Sequence, residues 1–163
     1  MTKILVAYFS ASAAKITEKV AERLAETIGA DLFEIVPEVP YTAADLRWTN
    51  PIARCNKEKF GRKDVPSAGK VENFEEYDLV ILGFPIWYGC APNVVSTFIK
   101  GYDTAGKKIA AFATSGGSKI GKTAEKLKPY VSESAMVLEA KLFEKDVTPN
   151  ALQNWVNGLL RQN

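Results

Sequence analysis

Three short segments of this chain hold the residues whose types and spacing could do chemistry. Ser10-Ala11-Ser12 follows a strand-like run, Lys3 to Phe9 (K-I-L-V-A-Y-F), and leads into a helix pattern. Hydroxyls beside the unpaired N–H groups of a helix N-terminus make a seat for a phosphate. Gly83 to Pro92 (G-F-P-I-W-Y-G-C-A-P) carries Trp87 and Tyr88 in a turn braced by Pro85, Gly89 and Pro92. Lys108 to Thr114 (K-I-A-A-F-A-T) runs into Ser115-Gly116-Gly117-Ser118, where two glycines let backbone N–H groups come close to the edge of a ligand. Taken alone, Trp87 and Tyr88 read as well as aromatics capping a core. Taken together, the segments make an anion cradle, an aromatic plate and an edge reader, and a phosphorylated, planar, hydrogen-bonding ring system fits all three.

These segments need a scaffold that brings strand ends together. Leu79 to Leu82 (L-V-I-L) is a continuous apolar run, the pattern of a strand covered on both faces of a parallel sheet. Ligands of open α/β sheets bind outside the carboxyl ends of such strands. Between Ala13 and Ile28, Ile16, Val20, Leu24 and Ile28 recur every fourth residue, a helix stripe that Gly29 stops. Asp31 to Val36 alternates as an edge strand does, and Ala135 to Leu142 does the same at the opposite edge. Asn93 to Lys100 predicts a helix capped by Asn93, and Gly121 to Tyr130 predicts another with Lys126 and Lys128 facing water. Thr148-Pro149 opens the last helix, in which Trp155 belongs to the core. The order predicts an α/β fold, a five-stranded parallel sheet between two helix layers.

Residues 1–163 read as one domain, large enough to bury a core without staples. Residues 37–69 form a long irregular stretch, where Tyr41, Leu46 and Trp48 are apolar enough to pin it to the body and a short helix near Asn56 to Phe60 is allowed. Whether this stretch walls the site or is a packed surface excursion stays open. No apolar run exceeds a strand's length and no signal peptide pattern opens the chain, so a cytoplasmic protein without a membrane span is expected. Cys55 and Cys90 match neither a redox pair nor a zinc site. Histidine is absent, which removes the commonest metal ligand and the commonest general base. No metal site and no catalytic side chain are expected, and redox chemistry would have to come from a cofactor. The net charge is +2, with Lys57, Lys59, Arg62, Lys63 and Lys70 clustered against Glu58 and Asp64. Such a run reads first as a solvated loop, with an anionic partner or nicotinamide dinucleotide phosphate as the second reading, and no nucleic acid is implied.

Tyr8-Phe9-Ser10-Ala11-Ser12, Gly83-Phe84-Pro85-Ile86-Trp87 and Thr114-Ser115-Gly116-Gly117-Ser118 resemble the motifs of the flavodoxin-like family of FMN-binding proteins. Within it they look most like those of the short bacterial flavodoxin-type flavoproteins, and the resemblance runs from Ile4 to Trp155. It implies a flavodoxin-like three-layer sandwich of strand order 2-1-3-4-5, for which flavodoxin is itself a standard example, with FMN where the first and third strands diverge. By the same resemblance, Ser10 and Ser12 with the N–H groups of Ala13, Ala14, Lys15, Ile16 and Thr17 would hold the phosphate. The ring would lie between Pro85, Ile86, Trp87, Tyr88, Gly89 and Cys90 on one side and Thr114, Ser115, Gly116 and Gly117 on the other. N–H groups near Gly89, Cys90 and Gly116 would stabilise the negative charge that reduction places on it.

The chain departs from the family's S-x-[ST]-G-x-T pattern, because Ser10 to Thr17 lacks the glycine and carries two extra residues. A glycine-free loop takes positive φ only at a cost. That predicts a wider loop, weaker phosphate binding, or Lys15 acting in place of a backbone N–H. The resemblance implies a flavin-dependent oxidoreductase that uses NAD(P)H to reduce a quinone, azo or nitro compound, with homodimers that complete the site known in such reductases. The alternatives are a one-electron carrier to a redox protein, which the near-neutral charge disfavours, and a domain that has lost its flavin.

Overall fold

The computed structural model describes residues 2–10, 15–39, 42, 45–46, 54, 64–86, 91–114 and 120–162. Its elements are β1 (Ile4–Tyr8), α1 (Ile16–Ile28), β2 (Asp31–Glu34), β3 (Val36–Pro37), β4 (Ser67–Ala68), β5 (Leu79–Pro85), α2 (Asn93–Lys100), β6 (Lys108–Thr114), α3 (Thr123–Leu127), β7 (Met136–Leu142) and α4 (Pro149–Arg161). Five of the strands form one parallel sheet in the order β2-β1-β5-β6-β7. Counted by themselves in chain order, those five run 2-1-3-4-5, the flavodoxin-like topology.

Alternate residues of the central strands feed two separate cores. Val6 of β1, Ile81 of β5 and Phe112 of β6 pack under α1 and α4, whereas Ala7, Leu82 and Ala111 pack under α2 and α3. Every residue of β1 is buried, and so is nearly every residue of β5 and β6, which is why these strands read as unbroken apolar runs rather than alternating ones. Val20, Ala21, Leu24 and Ala25 form the buried stripe of α1. Gly29 ends that helix in the left-handed region at φ 69°, where its lack of a Cβ makes the turn cheap. Trp155 is buried on α4, edge-on to Phe143 at 5.1 Å between ring centroids, and its indole N–H donates to Glu139 Oε1 at 3.2 Å.

Several element ends differ from the sequence expectation, each for a local reason. The α1 helix begins at Ile16 rather than Ala13, because Lys15 stands outside the helical region at φ 52°, ψ 40°. Asn93 is the first residue of α2, not its cap; Pro92 takes the cap position. The predicted helix over 121–130 is split, since Pro129 has no N–H to continue an α-helix and the chain tightens into a 3₁₀ turn over Lys128–Tyr130. Strand β2 leaves the sheet after Glu34. The Ile35 N–H still donates to Tyr8 O at 2.6 Å, after which Val36–Pro37 pairs antiparallel with Ser67–Ala68. This small ladder clasps the two ends of the irregular stretch, helped by Glu38 N–H to Pro66 O at 3.0 Å. Val65 N–H donates to Thr97 Oγ1 at 2.9 Å, and Arg54 Nη1 donates to Val39 O at 2.7 Å. Leu46 is half-buried; Tyr41, Trp48 and the helix considered near Asn56 to Phe60 lie outside the described residues. No helix among the described residues is long and apolar enough to cross a membrane.

Gly83 is fixed by a neighbour rather than by its own backbone angles. A Cβ built there would run into the ring of Phe112 on the adjoining strand. The ring fills the space a side chain would occupy. Gly83→Ala should therefore lower the unfolding free energy by about 1–3 kcal/mol, with Phe112→Leu in the same chain recovering part of the loss; urea unfolding of the three variants checks both.

At the amino edge of the sheet, Tyr77 is buried and its O–H donates to Asp31 Oδ2 at 2.6 Å. Burial first, and then the hydrogen bond and charge of Asp31 with a further contribution from Glu76, push the phenol up to about 12. An unfolded tyrosine ionises near ~10, so the folded state keeps its proton more tightly. The resulting stabilisation is complete below about pH 10 and is lost as pH rises through the folded value. Between pH 10 and 12 the stability of the parent chain should fall more steeply than that of Tyr77→Phe, as measured by urea unfolding at intervals across that range.

Candidate functional site

The carboxyl edge of the sheet is where backbone register brings separate stretches of sequence together. Tyr8, Gly83 and Phe112 stand side by side on β1, β5 and β6, and Pro85 stands beside Thr114. Phe9 N–H donates to Gly83 O at 2.8 Å, and Ile86 N–H donates to Thr114 O at 2.8 Å. The segments after Ser10, Ile86 and Thr114 thus leave from adjoining points of one edge. Of the residues expected at the site, Ser12, Ala13, Ala14, Trp87, Tyr88, Gly89, Cys90, Ser115, Gly116 and Gly117 lie outside the described residues. Ser10, Lys15, Ile16, Thr17, Pro85, Ile86 and Thr114 are described.

Ser10 carries the most telling atom. Its Oγ is enclosed and has no hydrogen-bond partner, alone in this respect among the buried side-chain polar atoms of the described residues. A buried hydroxyl left unpaired costs about 1–3 kcal/mol. Buried polar groups elsewhere are partnered: Lys107 Nζ, at the amino edge, donates to Tyr77 O at 2.6 Å and to Glu75 O at 3.1 Å. The unpaired group sits at the edge where a ligand would complete it.

Seven residues, 9–15, separate β1 from α1, and the helix's first bond runs from Lys19 N–H to Lys15 O at 3.0 Å. The N–H groups of Ile16, Thr17 and Glu18 precede that bond and have no acceptor within the helix. Lys15 supplies no side-chain cap. These donors and the positive end of the helix dipole suit an anion. Glu18 in the same turn accepts from the Tyr8 O–H at 3.0 Å, and Lys15 Nζ lies 3.9 Å from its other oxygen. Burial above all, then the Glu18 hydrogen bond and the charges of Glu34, Glu18 and Glu22, hold the Tyr8 phenol far above its usual range, so it stays a neutral donor.

The N-terminus of α1 is tied to the far side of the site. Thr17 and Thr114 are both buried, and their hydroxyl oxygens are 2.7 Å apart. Thr114 ends β6, and β5 lies between β6 and β1 in the sheet, so this contact carries the first turn of α1 across the strand between them. Sequence reasoning assigned Thr17 to the anion seat and Thr114 to the edge loop, but gave no sign that they touch. The link between Tyr8 and Glu18 was missed as well; a phenol at the end of a buried strand and a carboxylate in the next helix's first turn are the available signal. The Ile86 side chain is buried in the core under α2, which leaves backbone as its means of touching a ligand.

A family model described as flavodoxin matches residues 3–159. Among solved structures, a candidate flavoprotein from Bacteroides eggerthii is similar with a TM-score of 0.88 and 38% identity, covering 99% of this chain and 100% of that one. A second, from Bacteroides uniformis, is similar with a TM-score of 0.83 and 33% identity, covering 96% of this chain and 98% of that one. A flavoprotein from Lactobacillus acidophilus, solved in complex with FMN, shares the fold at a TM-score of 0.69 and 23% identity, covering 87% of this chain and 93% of that one. No curated protein matches the chain.

Lys15 is one of two described residues other than glycine at positive φ, the other being Asn73. A side chain there costs about 1–2 kcal/mol, only partly offset by the extra freedom glycine gives the unfolded chain. Lys15→Gly should raise the unfolding free energy by about 0.5–1 kcal/mol, and a fall in the urea midpoint would show that the left-handed turn is not what strains this position.

Proposed function

Because this chain belongs to the flavodoxin family, we propose that it binds FMN at the carboxyl edge of its sheet and acts as an NAD(P)H-linked oxidoreductase towards quinones or similar small acceptors. The observation that carries the reading is the enclosed, unpartnered Ser10 Oγ, two residues past the end of β1 at the carboxyl edge of the sheet. Ser10 and the first turn of α1 fit a phosphate: a hydroxyl with no partner among the described residues, three N–H groups with no acceptor inside the helix, and a lysine one residue before them. The left-handed Lys15 also bears on the missing glycine, since it takes a backbone conformation that glycine would take most cheaply. Ser10, Ser12 and the N–H groups from Ala13 to Thr17 would hold the phosphate, with Lys15 adding charge.

The ring would lie between the Pro85 to Cys90 and Thr114 to Gly117 segments, which leave adjoining points of one edge. Trp87 or Tyr88 would cover a face, and the backbone of Ser115 to Gly117 would read a rim. When bound, FMN supplies hydride acceptance at N5 and onward electron transfer. The protein's part is to bind, to orient and to limit access. A near-neutral chain of net charge +2 is poorly suited to steering by complementary fields, which favours a small acceptor over a protein partner. In a cytoplasmic setting NAD(P)H is at hand, and a second copy of the chain could close the open side of the ring.

Titration with FMN, followed by quenching of flavin fluorescence, tests the cofactor. Saturable binding is expected, weakened by about 1–3 kcal/mol in Trp87→Ala; an unchanged affinity in that variant would mean the indole does not touch the ring. NADPH oxidation with menadione as acceptor tests the reaction. Turnover no faster than that of free FMN would favour an electron carrier, and absence of flavin binding would leave a domain that has lost its cofactor.

A further inference from the structure

The buried hydroxyl pair of Thr17 and Thr114 has an unspent hydrogen. Each hydroxyl has one hydrogen to donate and two lone pairs to accept, and the oxygens stand 2.7 Å apart, so one donates to the other. The remaining hydrogen has no further partner among the described residues. Thr17 is 3% exposed and Thr114 6%, so water does not readily serve that hydrogen. Either direction satisfies the pair equally; what lies next to it decides which is adopted.

We propose that Thr114, although it stands at the ring side of the site, acts on the phosphate end by fixing the hydroxyl of Thr17. This rests on the FMN reading above. An anion at the start of α1 needs donors, and Thr17 is the second residue of the helix, in its first turn. Donation from Thr114 to Thr17 leaves the Thr17 hydrogen for the anion, and the chain Thr114 to Thr17 to phosphate oxygen is polarised in one sense along its length. The reverse direction spends that hydrogen on Thr114 and offers the phosphate a lone pair, which repels it. Thr114 is therefore a positioning residue for phosphate: it touches the anion only through Thr17, and it makes the seat discriminate FMN from the same ring system without phosphate. Ser10 Oγ stands as a second, independent donor awaiting an acceptor at that edge.

The test compares FMN with riboflavin, which carries the ring and ribityl chain but no phosphate, by fluorescence quenching. For FMN, Thr17→Val should weaken binding about tenfold and Thr114→Val about threefold to tenfold, with the double variant no worse than Thr17→Val. Riboflavin affinity should fall by a smaller factor than FMN affinity in each variant, so the preference for FMN over riboflavin drops, and Thr114→Ser, which keeps the hydroxyl, should restore that preference. Thermal melting of the apoprotein checks that each variant folds; where Thr114→Val does not, Thr114→Cys, of similar size and a weak donor, carries the same expectation. Equal loss of both ligands in Thr114→Val, or additive losses in the double variant, would overturn the relay while the parent chain's FMN reading stands. A parent chain that binds neither flavin would overturn the FMN reading and the relay with it.

Discussion

A parallel sheet buried on both faces imposes one constraint from which the rest follows. Each strand must be re-entered from the same end, so the chain crosses a face between strands and all strands finish at one edge. Here that edge gathers Tyr8, Phe9 and Ser10 from the start of the sequence, Pro85 and Ile86 from its middle, and Thr114 from further on. None of these groups is near another along the chain. Backbone pairing and the two-sided core set their proximity, and the side chains that follow inherit it. The tie from Ile86 N–H to Thr114 O extends the β5 to β6 ladder one step beyond the strands, so the two following segments start from a fixed separation.

The parts of this arrangement legible in the sequence are those written as local pattern. The L-V-I-L run, the stripe of Val20 and Leu24, and the Thr148-Pro149 start of α4 each announce an element by period or by cap, and each element is where the pattern puts it. Asp31 and Met136 open strands at opposite edges of the sheet, where the sequence pattern put them, and neither strand contains a fully buried residue. What could not be read was local competition and long-range contact. Pro129 shortens a helix expected to run to Tyr130, and Lys15 starts α1 at Ile16 where Ala13 was expected. The hydroxyl contact of Thr17 with Thr114 spans nearly a hundred residues of chain and leaves no trace in either neighbourhood. The three segments singled out for chemistry do adjoin one edge through Ser10, Ile86 and Thr114. Trp87 and Gly116, which would define the ring's surroundings, lie outside the described residues.

Stability and function part company at the two edges of the sheet. At the amino edge, Lys107 is enclosed yet held by two carbonyl oxygens, Tyr77 by Asp31, and Asp78 Oδ2 accepts from Lys3 N–H at 2.8 Å. Every one of these groups finds its partner within the chain. At the carboxyl edge Ser10 Oγ is enclosed without one, Lys15 holds an unfavourable backbone angle, and the first turn of α1 has uncapped donors. Costs of this kind collect where a ligand relieves them, because the surrounding core is stable enough to bear them. The sheet's interior supplies that reserve, with fully buried Leu5, Ile81, Leu82, Phe84 and Phe112 along its central strands.

In the proposed phosphate seat, the contacts of Glu18 explain how an acidic residue can stand in the first turn of α1. As the third residue of α1 it occupies the position from which a glutamate commonly reaches back to cap the helix's own N–H groups. Here the buried Tyr8 O–H engages one carboxylate oxygen, while the exposed Lys15 stands near the other. The carboxylate is thereby drawn towards the sheet, and the backbone donors stay open for a ligand. Its charge would still oppose the proposed phosphate, which Lys15 would offset only in part because that side chain is well exposed and screened. Under that proposal, affinity would come from short-range donors: the backbone N–H groups, Ser10 and the hydroxyl of Thr17. A seat built on oriented donors rather than net charge selects by geometry, and it fits a chain whose overall charge is close to neutral.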